Sequence, residues 1–135
     1  MNETAATPAS TSVAIEIPAS NRHAALVRTA AVGIIADLDP DLDVVENLRL
    51  AVNELVSLVI EATGRGSVRV EFRIESTTLR VTAQPSEPGN AVVVDELARR
   101  ILETTTTHHQ FHEDGSGELS IDIGGSDDQG RIAGG

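Results

Sequence analysis

One amphipathic run, from about Asp43 to Thr63, constrains this chain more than any other feature. Val45, Leu48, Val52, Leu55, Val56 and Val59 recur at helical spacing, which predicts a long helix with one apolar face that another layer must cover. Asp43 is placed to cap its start with Glu46 reaching back, and Gly64 supplies a left-handed residue at its end. A second stripe, Asn47, Leu50, Glu54, Leu58 and Glu61, lies beside the core face, where a ligand can reach it.

The covering layer reads as a sheet. Val68, Val70, Phe72 and Ile74 alternate with Arg69, Glu71, Arg73 and Glu75. After a Ser76-Thr77-Thr78 turn, Leu79, Val81 and Ala83 alternate with Arg80 and Thr82, so this is an antiparallel hairpin with one wet face. Upstream, Val13, Ile15 and Ile17 form a short half-buried strand closed by Pro18. A helix capped by Ser20 or Asn21 follows, carrying Leu26, Ala30 and Ile34 beside Val27, Ala31, Ile35 and Leu38 until Asp39-Pro40 stops it. Downstream, a third helix is predicted over Val93–Glu103, and a last hairpin pairs residues 105–112 with 118–123 across Asp114-Gly115-Ser116-Gly117. The order predicts an α+β fold: a two-layer sandwich, its mainly antiparallel sheet covered on one face by about three helices. Residues 12–123 are expected to be one domain, flanked by flexible tails at 1–11 and 124–135.

Composition narrows the chemistry. With two Phe and no Trp or Tyr, the core must be aliphatic. A net charge of −11, with ten Arg scattered singly apart from Arg99-Arg100, opposes nucleic-acid binding. The absence of Lys rules out a Walker-type phosphate loop, and the absence of Cys rules out disulfides and thiolate chemistry. No segment approaches the ~20 apolar residues of a membrane span, and Met1–Ser12 lacks the pattern of a leader, so a cytoplasmic protein is expected.

The second helix also carries a pattern. Leu50, Ala51, Val52 and Glu54, with Glu61 more loosely, resemble the ATP-site helix of the anti-sigma factor and serine-kinase group in the GHKL ATPase superfamily, the Bergerat or histidine kinase-like fold. The resemblance covers about residues 13–123. In active relatives the Glu is the general base and an Asn four residues later holds Mg²⁺; here that Asn falls on Leu58, and a later His falls on Ala62. The relatives' Asp-x-Gly-x-Gly turn, whose Asp accepts from adenine, corresponds to Pro85-Ser86-Glu87-Pro88-Gly89, in which Gly89 alone survives. Their later phosphate-wrapping Gly-x-Gly is unrecognisable in residues 91–97. Mg²⁺ demands oxygen ligands and an isobutyl group offers none, so phosphoryl transfer is expected to be lost or crippled.

What the resemblance implies is therefore an anti-sigma factor with a degenerate ATP site, which sequesters an RNA polymerase sigma factor and is released by an anti-anti-sigma partner. The alternative is an active ATP-dependent serine kinase that phosphorylates the anti-anti-sigma factor; a scaffold for an unrelated protein is a third. Glu54 reads as a remnant general base or as solvated surface, and Asn53 and Gly89 join it as vestigial nucleotide contacts. ATP and Mg²⁺ are cofactors only under the alternative. The resemblance also implies a homodimer through the edge of the sheet at Val13–Ile17. Arg69, Glu71, Arg73 and Arg80 read as cross-strand charge pairs or as an interface. His108, His109 and His112 do not read as a metal site, because four residues along a strand separate Cα atoms by about 13 Å. His109 is expected to pack with Phe111, with His108 and His112 facing outward.

Overall fold

A computed structural model describes residues 10–124. The alternating segments form a single five-stranded antiparallel sheet of order β1-β2-β3-β5-β4, with β1 Ser10–Pro18, β2 Ser67–Glu75, β3 Thr78–Pro85, β4 His108–Phe111 and β5 Gly117–Asp122. Three helices lie on one face: α1 Ala24–Ile35, α2 Leu42–Thr63 and α3 Glu96–Thr105. The fold class is the α+β two-layer architecture expected from the pattern of elements.

The hairpin β2–β3 shows why the sequence folds this way. Its alternation puts Val68, Val70, Phe72 and Ile74 of β2 and Leu79, Val81 and Ala83 of β3 on one face, all buried under the helices. Leu48, Ala51, Val52, Leu55, Val56 and Val59 of α2 meet them from above with no exposed surface. Each such aliphatic side chain removed from water contributes about 1.5–3 kcal/mol of gross stabilisation, which is how a core without Trp or Tyr holds together. The central helix packs between α1 and α3, so its two flanks face different neighbours. Gly64, at φ 79°, ends it, and its N–H donates to the Ile60 carbonyl. Close approach fixes another glycine: a Cβ on Gly117 would lie 2.5 Å from the Phe111 ring and 2.9 Å from a Leu55 methyl.

Several boundaries differ from the sequence expectation. Strand β1 reaches back to Ser10, which pairs with Glu75, and Thr11 pairs with Ile74, so two residues of the expected tail belong to the sheet. Gly124 donates its N–H to Thr77 O and Asp122 Oδ1. The rest of both expected tails lies outside the described residues. Helix α2 starts at Leu42 with Asp41 at the cap position, which leaves Asp43 in the first turn rather than capping. Helix α1 is preceded by a 3-10 turn at Asn21–His23, with neither Ser20 nor His23 capping through its side chain, and Leu26 is 59% exposed instead of core. Helix α3 starts at Glu96 and not at Val93, because the Asp95 carboxylate accepts from Ala98 N–H at 2.8 Å and fixes the start there.

The wet face of the sheet corrects another expectation. The β2–β3 turn is two residues, with Ser76 at φ 58°, and the resulting register places Arg73 directly opposite Arg80. The ion pair runs along β2 instead: Arg73 lies 3.8 Å from Glu71, which also accepts a hydrogen bond from Ser12 Oγ of β1 at 2.9 Å. At the other edge, His108 and His112 are exposed and flank the Glu118 carboxylate at 3.9 and 3.5 Å. His109 and Phe111 are half-buried, with His109 Nδ1 3.4 Å from Thr106 Oγ1. Among the described residues no group of three His, Cys, Asp or Glu side chains is arranged to hold a metal ion. No described helix is long and apolar enough to cross a membrane.

Candidate functional site

Adjacent residues of α2 face different neighbours. Glu54 lies toward the segment that leads into α3, where Asp95 and Glu61 are its charged neighbours. Burial pushes its carboxyl pKa up, and the negative charges of Asp95 and Glu61 push it further in the same direction. Asn53 turns toward α1, and its Oδ1 accepts from Arg28 Nη1 at 2.6 Å. Of the three residues expected at a nucleotide site, Asn53 bonds to α1, Glu54 neighbours Asp95 and Glu61, and Gly89 packs against the end of α2.

Leu58, one turn beyond Glu54, is nearly buried at 9% exposure. Together with Glu61, Ala62, Asn90, Ala91 and Val93 it lines a cleft of about 220 Å³. A neighbouring cleft of about 220 Å³ is lined by Ala62, Thr63, Arg65, Glu87, Pro88, Gly89 and Asn90. Gly89 borders α2 so closely that a Cβ would meet the Ala62 carbonyl oxygen at 3.0 Å. Backbone bonds hold the connecting segment in place: Asn90 N–H donates to Ala62 O at 3.2 Å and Gly89 N–H to Asp114 O at 2.8 Å. Pro85, which the sequence resemblance sets against an adenine-binding Asp, is buried in β3 opposite Val68.

The anchor for Gly89 is itself well built. Asp114 accepts from both the N–H and the hydroxyl of Ser116, at 2.9 and 2.6 Å, closing the β4–β5 turn. The Ser116 hydroxyl bond, then its backbone bond, hold the Asp114 carboxyl below its usual range, with His112 adding to the effect. Asp95 likewise does two things: it caps α3 and places a negative charge near Glu54. Neither role was read from the sequence, although an Asp three residues before the buried Ala98 is a recognisable cap signal.

A second concave region lies on the opposite flank. Arg28, Glu46, Arg49, Leu50 and Asn53 line a cavity of about 490 Å³, and Ala25, Arg28, Thr29, Val32 and Arg49 line an adjoining one of about 200 Å³. Two guanidinium groups thus stand between α1 and α2 in a chain of net charge −11.

No model of a known protein family matches the sequence, and no curated protein matches it. Among solved structures, the chain is similar to the RsbU and RsbW domains of Rv1364c from Mycobacterium tuberculosis, at 15% sequence identity and a TM-score of 0.60. The likeness covers 87% of this chain and 32% of that one, so this chain spans about a third of its neighbour's length. At that identity the likeness shows the fold alone: an antiparallel sheet with three helices on one side.

Proposed function

We propose that this chain is an anti-sigma factor whose nucleotide site has degenerated: it sequesters an RNA polymerase sigma factor by protein–protein binding and is released by an anti-anti-sigma partner. The observation that carries this reading is Leu58, a nearly buried aliphatic residue at the position where active relatives place the metal-holding amide. Its surroundings support the same conclusion. Glu54 has the negative charges of Asp95 and Glu61 as neighbours, a setting that opposes nucleotide phosphates, and the residues lining the cleft beside Leu58 include no cation. The Pro85 side chain offers no acceptor for an adenine amino group, and Gly89 already packs against the end of α2. These residues do not fit Mg-ATP. The fold shared with a chain that contains an RsbW domain supports the family assignment. In this reading the protein works in the cytoplasm as a homodimer joined through the β1 edge, without contacting nucleic acid.

One observation favours the kinase alternative. A carboxyl whose pKa is raised is a stronger base than an ordinary one, and Glu54 is such a group. Two measurements separate the readings. Size-exclusion chromatography with the cognate sigma factor is expected to give a stable complex without nucleotide, and titration calorimetry with Mg-ATP is expected to be silent. Micromolar Mg-ATP binding, together with phosphate transfer to an anti-anti-sigma protein that Glu54→Ala abolishes, would establish the kinase instead.

A further inference from the structure

The two clefts beside the C-terminal half of α2 share Ala62 and Asn90 and so form one elongated groove. Its walls are preformed, because backbone hydrogen bonds tie residues 89 and 90 to the β4–β5 turn and to α2. One end is apolar: Leu58, Ala62, Ala91 and Val93 line it, and Val93 is 82% exposed at its mouth. An exposed Val beside an apolar cleft is surface that a partner can desolvate. The space at that end is smaller than the ~300 Å³ of the smallest typical small-molecule sites, and it suits a single anchoring side chain.

Charge selects among occupants. Glu61 lines the apolar end, Glu54 and Asp95 lie nearby, and the C-terminal end of α2 adds its partial negative charge. Glu87 extends the acidic side into the second cleft, where Arg65 is the cation. A polyphosphate or an acidic segment is repelled here, and a cation is drawn in.

We infer that this groove is a docking site for a protein segment that presents one large apolar side chain with Lys or Arg beside it. The groove has thus exchanged a nucleotide for a basic-apolar peptide. The inference rests on the sequestration reading for the class of partner, protein rather than nucleotide.

The test uses the full chain labelled with ¹⁵N and a synthetic amphipathic peptide of Leu, Lys and Arg. Amide shifts are expected at residues 58–62 and 89–94. Val93→Asp is expected to weaken binding at least tenfold, and Glu61→Lys by a smaller factor. Leu42→Asp, at the far end of α2 and 73% exposed in the native chain, is expected to leave binding unchanged. Shifts centred elsewhere, equal weakening by Leu42→Asp, or the same shifts produced by Mg-ATP or by raising protein concentration alone would each overturn the assignment. Peptide binding in the groove with no sigma complex would remove the sigma reading and leave the groove standing. A sigma complex untouched by Val93→Asp would do the reverse.

Discussion

The two flanks of α2 differ in how they resolve their charges. Toward α1, Arg28 Nη1 donates to Asn53 Oδ1 at 2.6 Å, and Arg49 stands beside them. Toward α3, Glu54 pairs with no cation among the described residues and has Asp95 and Glu61 as charged neighbours. One flank satisfies a charged group; the other gathers like charges around an apolar cleft. Like charges brought together cost stability, so the α3 flank is held by neighbouring structure rather than by its own electrostatics. The Asp95 cap, the Gly89 contact and the buried side of Leu58 are what hold it.

The largest expected effect comes from Leu58. Replacing it with Asn supplies the amide that the proposed function takes to be missing, but it removes a nearly buried aliphatic group and puts a polar one in an apolar cleft. Stability is expected to fall by about 2–3 kcal/mol in urea denaturation, within the range for truncating buried aliphatic residues. Mg-ATP titration of the Leu58→Asn variant is expected to stay silent, because Pro85 and the neighbouring carboxylates are unchanged. Binding in that variant would mean that the α3 flank is still a nucleotide site with one residue missing.

How much of this was legible in the sequence follows from the range of the interactions. The period-2 alternation of β2 and β3 and the apolar stripe of α2 are local, and both were realised almost residue by residue. What escaped depended on contacts across the chain. The partner of Asn53 lies 25 residues away on α1, and nothing within α2 announces it. Asp95 comes near Glu54 only because the segment after β3 folds back on α2. Three consecutive valines at 92–94 mimic the opening of a helix, yet Val93 ends 82% exposed because the cap at Asp95 decides the start. The opposition of Arg73 and Arg80 follows from a turn of two residues where three were expected.

A smaller effect is expected on the α1 flank. Hydrogen bonds to a charged group contribute about 1.5–3 kcal/mol when well buried, and this one is only partly buried, so the coupling between Arg28 and Asn53 is expected near 1 kcal/mol. A double-mutant cycle with Arg28→Ala and Asn53→Ala measures it. A coupling near zero would mean that the bond only positions the arginine, and the contrast between the flanks would then lie in geometry rather than energy.

The smallest effect is the most diagnostic of the α3 flank. The folded-state pKa of Glu54 is raised, so folding is most favoured with the carboxyl protonated. That contribution is fully present below the unfolded-state value of about 4.3 and is lost as pH rises through the higher folded value. At pH 7 the ionised Glu54 therefore works against the fold. Glu54→Gln keeps the shape and removes the charge, so it is expected to be more stable than the native chain at pH 7, by less than about 1 kcal/mol given solvent screening of a partly exposed group. The advantage should shrink on acidification and vanish below about pH 4, where both side chains are neutral. Added salt should shrink it too, because part of the penalty comes from Asp95 and Glu61. Thermal melts across pH 3–8 of both proteins give the comparison directly. If Glu54→Gln were instead less stable at neutral pH, Glu54 would have to be paired with a cation in solution, and the two flanks of α2 would be alike.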